Sequence, residues 1–284
     1  MSPAYARVGV MIRLTVGVLA LQGAFVEHID LLRQASEAFL TATPPTGPGA
    51  GQIGADHVLF DFIEVRTPAE LAICDALVIP GGESTSISLI AERTGLLEPL
   101  REFVKVQRRP TWGTCAGLIL LAESANKSKS TGQELIGGLD VRVHRNYFGR
   151  QVESFEADLH LPFLEDSQPF HSVFIRAPVV EEVLPPNGAS SLSDNEEQSV
   201  APAKRATKSP VAVLGLLPGR ARTIRDKTTT AEDLGEAGDI IAVKQDNVFA
   251  TAFHPELTGD GRIHVWWLKE VIKAAANKEH DFQS

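Results

Sequence analysis

The stretch Thr111-Trp112-Gly113-Thr114-Cys115-Ala116-Gly117-Leu118-Ile119-Leu120-Leu121-Ala122 sets the fold. Thr111 to Gly113 predicts a short strand, and the apolar run from Leu118 to Ala122 predicts the helix after it. Between them Cys115 stands at a turn so sharp that the residues two positions away on either side must be small, and here both are glycine. A residue at such a turn is held in a strained backbone conformation, with its side chain above the sheet. It also lies at a helix N-terminus, where the macrodipole and free N–H groups favour a thiolate. The Ala116 N–H is then a donor for an oxyanion. A buried structural cysteine in a glycine-rich turn is the competing reading of these residues taken alone.

The same strand-to-helix grammar appears upstream. Leu14 to Leu21 is apolar and rich in β-branched residues, and Phe25, Ile29, Leu31 and Leu32 follow at helical spacing after Gly23. Ala76 to Ile79 predicts another strand, ending in the turn Pro80-Gly81-Gly82 before a helix over Ser86 to Glu92. Alternation of this kind implies an α/β fold: a mostly parallel central sheet covered on both faces. Leu139–His144, Glu153–Leu159, Ser172–Ala177, Val211–Leu217 and Asp239–Gln245 are strand-like with turns between them, which adds antiparallel pairing. Val248 to Phe253 predicts a closing strand and Ile263 to Ala276 an amphipathic helix.

We expect one domain over residues 1–284 with a core of about 14–278. Residues 41–54 and 185–210 are too poor in large apolar residues to bury, and they predict surface insertions. The chain up to about Arg13 predicts an N-terminal extension. With 43% hydrophobic residues a substantial core is available, and a net charge of -9 leaves no basic field for nucleic acid. Arg13, Gln22 and Glu27 interrupt the apolar start, so neither a secretory leader nor a membrane span is expected. Two cysteines, Cys74 and Cys115, fit a reducing compartment, with the cytoplasm as the default.

A cysteine nucleophile needs a base, and His254-Pro255-Glu256 follows the closing strand at the edge where an open α/β sheet presents its ligands. In an extended segment residues two apart point the same way, so Glu256 is placed to orient the His254 ring toward the thiol. His28, His144, His160, His171 and His264 lack an acidic partner at that spacing and are read as structural or exposed. Pro80-Gly81-Gly82-Glu83-Ser84-Thr85 lacks the spacing of a phosphate loop, but its paired glycines let N–H groups approach a ligand and complete an oxyanion hole with Ala116.

These residues, in this chain order, resemble the class I glutamine amidotransferases, whose sheet is flavodoxin-like. LALQGAFVEH at 19–28, PGGESTSI at 80–87, GTCAGLILLAE at 113–123, RNYFGRQVESF at 145–155, FIRAP at 174–178 and FHPEL at 253–257 narrow the resemblance to the glutaminase subunit of pyridoxal 5'-phosphate synthase. The resemblance implies a catalytic triad of Cys115, His254 and Glu256, with Gly82 and Ala116 at the oxyanion. It assigns glutamine contact to Gly82, Glu83, Ser84, Arg145, Ile175 and Arg176. Guanidinium groups at Arg145 and Arg176 suit an α-carboxylate, although ordinary surface ion pairing is the reading without the family. It further implies L-glutamine as substrate, a (β/α)8 synthase subunit as partner, and no metal or organic cofactor, pyridoxal phosphate being the partner's product. An amidotransferase serving another synthase, a peptidase or chaperone of similar fold, and a non-catalytic synthase partner are the rival readings.

Overall fold

The computed structural model describes residues 12–42, 58–126, 133–145, 154–185, 198–202, 209–218 and 238–281. Strand β1 (Ile12–Leu19) is buried from Val16 to Leu19, as an apolar run in the middle of a parallel sheet must be. It begins at Ile12 and ends at Leu19 rather than spanning Leu14 to Leu21. Arg13 therefore belongs to the strand and not to an extension: it lies opposite Leu59 of the next strand, and its exposed guanidinium is paired with Asp61. A charge at an exposed strand position is tolerated when the neighbouring strand supplies its counterion.

Helix α1 (Phe25–Ala42) crosses from β1 to β2 (Val58–Val65), and α2 (Pro68–Ala72) leads to β3 (Ala76–Ile79). Helices α3 (Ser84–Arg93) and α4 (Leu97–Arg101) then lead to β4 (Thr111–Thr114), which turns directly into α5 (Ala116–Leu121). Among the described residues, α5 is followed by β5 (Ala122–Asn126), β6 (Leu139–His144), β7 (Ser154–Leu159), β8 (Phe170–Ile175), β9 (Val179–Val183), β10 (Gln198–Val200) and β11 (Ala212–Leu217). β12 (Asp239–Gln245), β13 (Val248–Thr251) and α6 (Arg262–Asp281) close the described chain.

Among the described residues eleven strands form one sheet, and β7 and β8 form a separate hairpin. One half of the sheet is all parallel, in the order β2-β1-β3-β4-β13. This is the doubly wound, flavodoxin-like order with β13 in the fifth place. Antiparallel pairing of β12 with β13 starts the other half, which continues through β9, β6, β5 and β10, with β11 laid along β12. β4 shows how the layers form. Its Trp112 packs against His28 of α1 and His264 and Trp267 of α6. A Cβ on the next residue, Gly113, would instead lie 2.5 Å from Gly117 in α5, so successive residues face opposite helical layers.

The strand order reverses between β1 and β3, which is where open α/β sheets hold their ligands. There the two loops touch: Ala24 N–H donates to the Gly81 carbonyl at 3.2 Å. The β7–β8 hairpin covers the same region, with Phe174 stacked on Phe155 at 4.5 Å and set against Phe253 at 5.6 Å, one residue before His254.

The expected insertions need correction. Thr41 and Ala42 end α1, while 43–54 lie outside the described residues. Within 185–210, Gln198–Val200 forms β10, which pairs antiparallel with β5, and Ala201 is buried. Residues 186–197 and 203–208 lie outside the described residues. Three residues at a sheet edge pair through their backbone, so polar side chains there give no sign of a strand.

Candidate active site

Cys115 has φ +48° and ψ -98°, a left-handed conformation that non-glycine residues rarely adopt. Holding it costs on the order of 1–3 kcal/mol, which the surroundings must over-determine. They do so through the backbone: Cys115 N–H donates to the Thr251 carbonyl of β13 at 2.8 Å, and Ile119 N–H donates to the Cys115 carbonyl at 3.3 Å. A Cβ on Gly117 would lie 2.2 Å from the Ile79 carbonyl oxygen of β3, so the small flanking residues expected from the sequence are required by contact. The thiol is nearly buried, with Sγ 3.9 Å from the Ile175 carbonyl at the end of β8. Ala116 follows as the first residue of α5, whose opening N–H groups have no acceptor within the helix.

His254 is fastened by its N–H to the Val173 carbonyl at 2.8 Å, and its Nδ1–H donates to Glu256 Oε1 at 2.7 Å. The pairing expected from sequence is present, but its cause differs. Pro255–Leu257 makes one turn of 3-10 helix rather than continuing extended, and that turn brings Glu256 under the ring. With Nδ1 occupied, the ring's hydrogen bond to Cys115 falls to Nε2. Burial works against the charged imidazolium, but the hydrogen bonds and charges of Cys115 and Glu256 outweigh it and push His254 up to about 10. Glu256 is fully buried, which works to raise it, yet His28 and His254 hold its carboxyl below the usual carboxylate range. The arrangement is a cationic ring between a sulfur and a buried carboxylate, suited to stabilise a thiolate and later to deliver a proton.

The glycine loop lies between these three residues and the loop after β1. A Cβ on Gly81 would fall 2.2 Å from His254 Cε1, and one on Gly82 would fall 2.4 Å from Gln22 Oε1. Glu83 N–H donates to that same Gln22 oxygen at 2.7 Å. The Glu83 carboxylate caps α3, accepting from Thr85 N–H at 3.1 Å and from Ser86 N–H at 2.7 Å. Its side chain is thus engaged by its own helix. Arg145 is buried at the end of β6 and donates to Ser84 Oγ at 2.8 Å and Thr85 Oγ1 at 2.9 Å. Burial lowers its pKa against the opposing charge of Glu83. A buried guanidinium held by neutral hydroxyls keeps charge available for an anionic group. Arg176 is exposed at φ +42°, beside the half-exposed Ile175.

The structure therefore brings Cys115, His254 and Glu256 together, and gathers Ser84 with Arg145. Sequence reading missed Thr85 and Gln133, whose amide oxygen accepts from both Ser84 and Thr85 hydroxyls. His28, which the sequence reads as structural or exposed, has its Nε2 3.3 Å from Glu256 Oε2. Gln133 and His28 were not visible locally, because each comes from an element distant in sequence, whereas Thr85 lies beside Ser84 in the glycine-loop motif and shows its role only through Arg145 and Gln133. Among the described residues no group of three or more His, Cys, Asp or Glu side chains is arranged to hold a metal ion. No described helix is long and apolar enough to cross a membrane.

Comparison with known proteins places the chain in a family. The SNO glutamine amidotransferase family matches residues 18–213 and 218–273. The "Probable pyridoxal 5'-phosphate synthase subunit PDX2" of Arabidopsis thaliana is 41% identical over 265 residues, covering 90% of this chain and 85% of that protein. The pyridoxal 5'-phosphate synthase subunit PdxT of Acidothermus cellulolyticus is 41% identical over 261 residues, covering 92% of this chain and 95% of that protein. A solved structure described as a glutamine amidotransferase superposes with a TM-score of 0.58 at 33% identity, covering 91% of this chain and 98% of that one.

Proposed function

The chain belongs to the SNO glutamine amidotransferase family, and from that membership and the geometry of its site we propose that it is the glutaminase subunit of a pyridoxal 5'-phosphate synthase. In this reading it hydrolyses L-glutamine to L-glutamate and ammonia and passes the ammonia to a (β/α)8 synthase subunit for vitamin B6 synthesis. The observation that carries the reading is the strained Cys115 in contact with a His254 ring that Glu256 holds from behind.

The Cys115 thiolate attacks the side-chain amide carbon of glutamine, and the oxyanion is held by the N–H groups of Ala116 and Gly82. His254 gives its proton to the departing nitrogen, which leaves as ammonia. Water, deprotonated by His254, then cleaves the glutamyl thioester and restores the thiol. Glu256 keeps the ring oriented and favours its cationic form. Arg145 and Arg176 take the α-carboxylate, with Gly82, Glu83, Ser84 and Ile175 completing the glutamine contact. Both cysteines are free thiols, which fits the reducing cytoplasm.

The bond from Glu83 N–H to Gln22 links the loop after β3 to the loop after β1. A partner docking on the β1 loop would therefore shift the backbone that supplies the oxyanion donor. Ammonia release from glutamine, measured with and without the synthase subunit, tests the reading. Turnover rising about tenfold or more on adding synthase supports it, about 1.4 kcal/mol of transition-state stabilisation. Full turnover in isolation, unchanged by saturating synthase, contradicts it.

A further inference from the structure

Glu256 spends one carboxylate oxygen on His254. The other, Oε2, is buried and receives no hydrogen bond of ordinary geometry. A buried carboxylate oxygen without a donor is costly, so the groups around it matter. His28 reaches in from α1 with Nε2 at 3.3 Å from Oε2, both side chains being wholly buried. The same nitrogen lies 3.2 Å from Oγ1 of Thr114, the residue before the nucleophile. On its other side, His28 Nδ1 is 3.1 Å from Nε2 of His264 on α6. The groups facing His28 are thus Glu256 and His254 from the turn after β13, Thr114 and Trp112 from β4, His264 from α6, and Glu27 beside it on α1. Burial pushes both His28 and His264 down, against the pull of Glu256 on the former, so each ring is neutral near pH 7.

A neutral ring carries one N–H, and two arrangements of the pair compete. With the proton on His28 Nε2, that single N–H faces both its hydrogen-bond partner Thr114 Oγ1 and, at 3.3 Å, Glu256 Oε2, and His264 Nε2–H donates to His28 Nδ1. His264 Nδ1, which has no partner, is then only a bare lone pair. With the proton on His28 Nδ1, the ring turns a lone pair toward Glu256 Oε2, and His264 must bury an unpaired N–H. Orphaned donors are rarer than under-used acceptors, and a lone pair facing a carboxylate is repulsive.

We propose that His28 is a positioning residue of the triad: its Nε2–H, shared with Thr114 Oγ1, faces and restrains the second oxygen of Glu256, and His264 fixes the tautomer that makes this possible. The inference rests on the reading of Cys115, His254 and Glu256 as the glutaminase triad. With a donor facing its second oxygen, Glu256 is restrained from swinging away from His254. With that oxygen free, the ring loses orientation and part of the charge support that keeps it protonated. The partners of His28 are the triad and its supports, so the effect falls on kcat rather than KM.

The test compares His28→Gln with His28→Asn in the full chain assayed with its synthase subunit. The longer amide places an N–H where Nε2 was, and the shorter one does not reach. His28→Asn is expected to lower kcat roughly tenfold or more with KM within about twofold, the size of effect that a misplaced catalytic group produces. Its alkaline limb of kcat should also move to lower pH, because His254 loses support from Glu256. His28→Gln should keep kcat within about threefold and leave that limb in place. A merely structural role would lower the melting temperature without moving the limb. Equal kcat values and equal pH limbs for the two variants would overturn the proposal, whatever their melting temperatures. Cys115→Ala in the same assay separates the failures. A parent chain without Cys115-dependent ammonia release overturns the triad reading and this inference together.

Discussion

Gly81 and His254 are packed so closely that a Cβ on the glycine would lie 2.2 Å from Cε1 and 2.7 Å from Nδ1 of the ring. Glu256 holds the ring at Nδ1 and the Val173 carbonyl holds the backbone N–H of the same residue, so the ring has little room in which to yield. Gly81→Ala should therefore displace His254 and lower glutaminase turnover by roughly a hundredfold, the cost of misplacing a reacting group by about an ångström. Circular dichroism should show a folded chain, because the clash falls on one side chain. Parental turnover in Gly81→Ala would mean that the ring position is not the one that works.

The buried histidines make stability depend on pH in two opposite ways. His254 titrates near 10 when folded against an ordinary histidine value of 6.5, so its contribution is complete below pH 6.5 and is lost as pH rises toward 10. His28 and His264 are depressed by burial, so theirs is complete above 6.5 and is lost as pH falls below it. Glu256, also depressed, loses its share at still lower pH, as pH falls from about 4.5 through its folded value. The melting temperature should be highest near pH 6 to 7. Its alkaline decline should be shallower in His254→Asn, which lacks the group that titrates there. Scanning fluorimetry from pH 5 to 10 checks this, and identical alkaline slopes in parent and variant would contradict it.

Arg145 donates from Nη2 alone to two hydroxyls at the start of α3 from a buried position, and a lysine ammonium there would lack the planar guanidinium fork that suits a carboxylate. If Arg145 takes the α-carboxylate, as proposed, Arg145→Lys should raise the KM for glutamine about tenfold while lowering kcat less, because the reacting amide would be untouched. Steady-state kinetics with saturating synthase decides it. A loss confined to kcat would remove Arg145 from the substrate pocket.

Within 185–210, β10 and the buried Ala201 are part of the sheet edge. Deleting all of 185–210 should lower the melting temperature by several degrees, since it uncovers β5 and removes the Ser199 hydroxyl that accepts from Gln133 N–H. Replacing only 186–197 with a short flexible linker should leave turnover within a few fold, because that stretch is polar and rich in Ser, Asn and Glu. Equal melting temperatures for the two deletions would mean that β10 contributes nothing.

Much of this was legible in the chain because parallel strands buried on both faces read as apolar runs, and β1, β3, β4 and β13 all lie beside such runs. The turn at Cys115 was legible for the same local reason, as Gly113 and Gly117 have one steric explanation. β2, with charges at Asp61 and Glu64, and β10, with three residues, gave no such pattern. At the site, contact between His254 and Glu256 followed from their spacing, although a 3-10 turn rather than an extended strand produces it. The roles of Glu83 as a helix cap and of His28 behind Glu256 depend on elements that meet only after folding. No local spacing encodes a contact between residues 28 and 256.

On the proposed mechanism, severity should grade through Cys115, His254 and Glu256. His254→Asn removes the proton carrier and should be nearly as damaging as loss of the thiol, whereas Glu256→Gln keeps the base and should retain more activity. Ammonia release from glutamine by Cys115→Ala, in the presence of saturating synthase subunit, bears on all of this at once. We expect a folded chain that still binds the synthase and releases no ammonia above the uncatalysed rate, since the covalent step has lost its sulfur. Ammonia release at the parental rate would contradict the account.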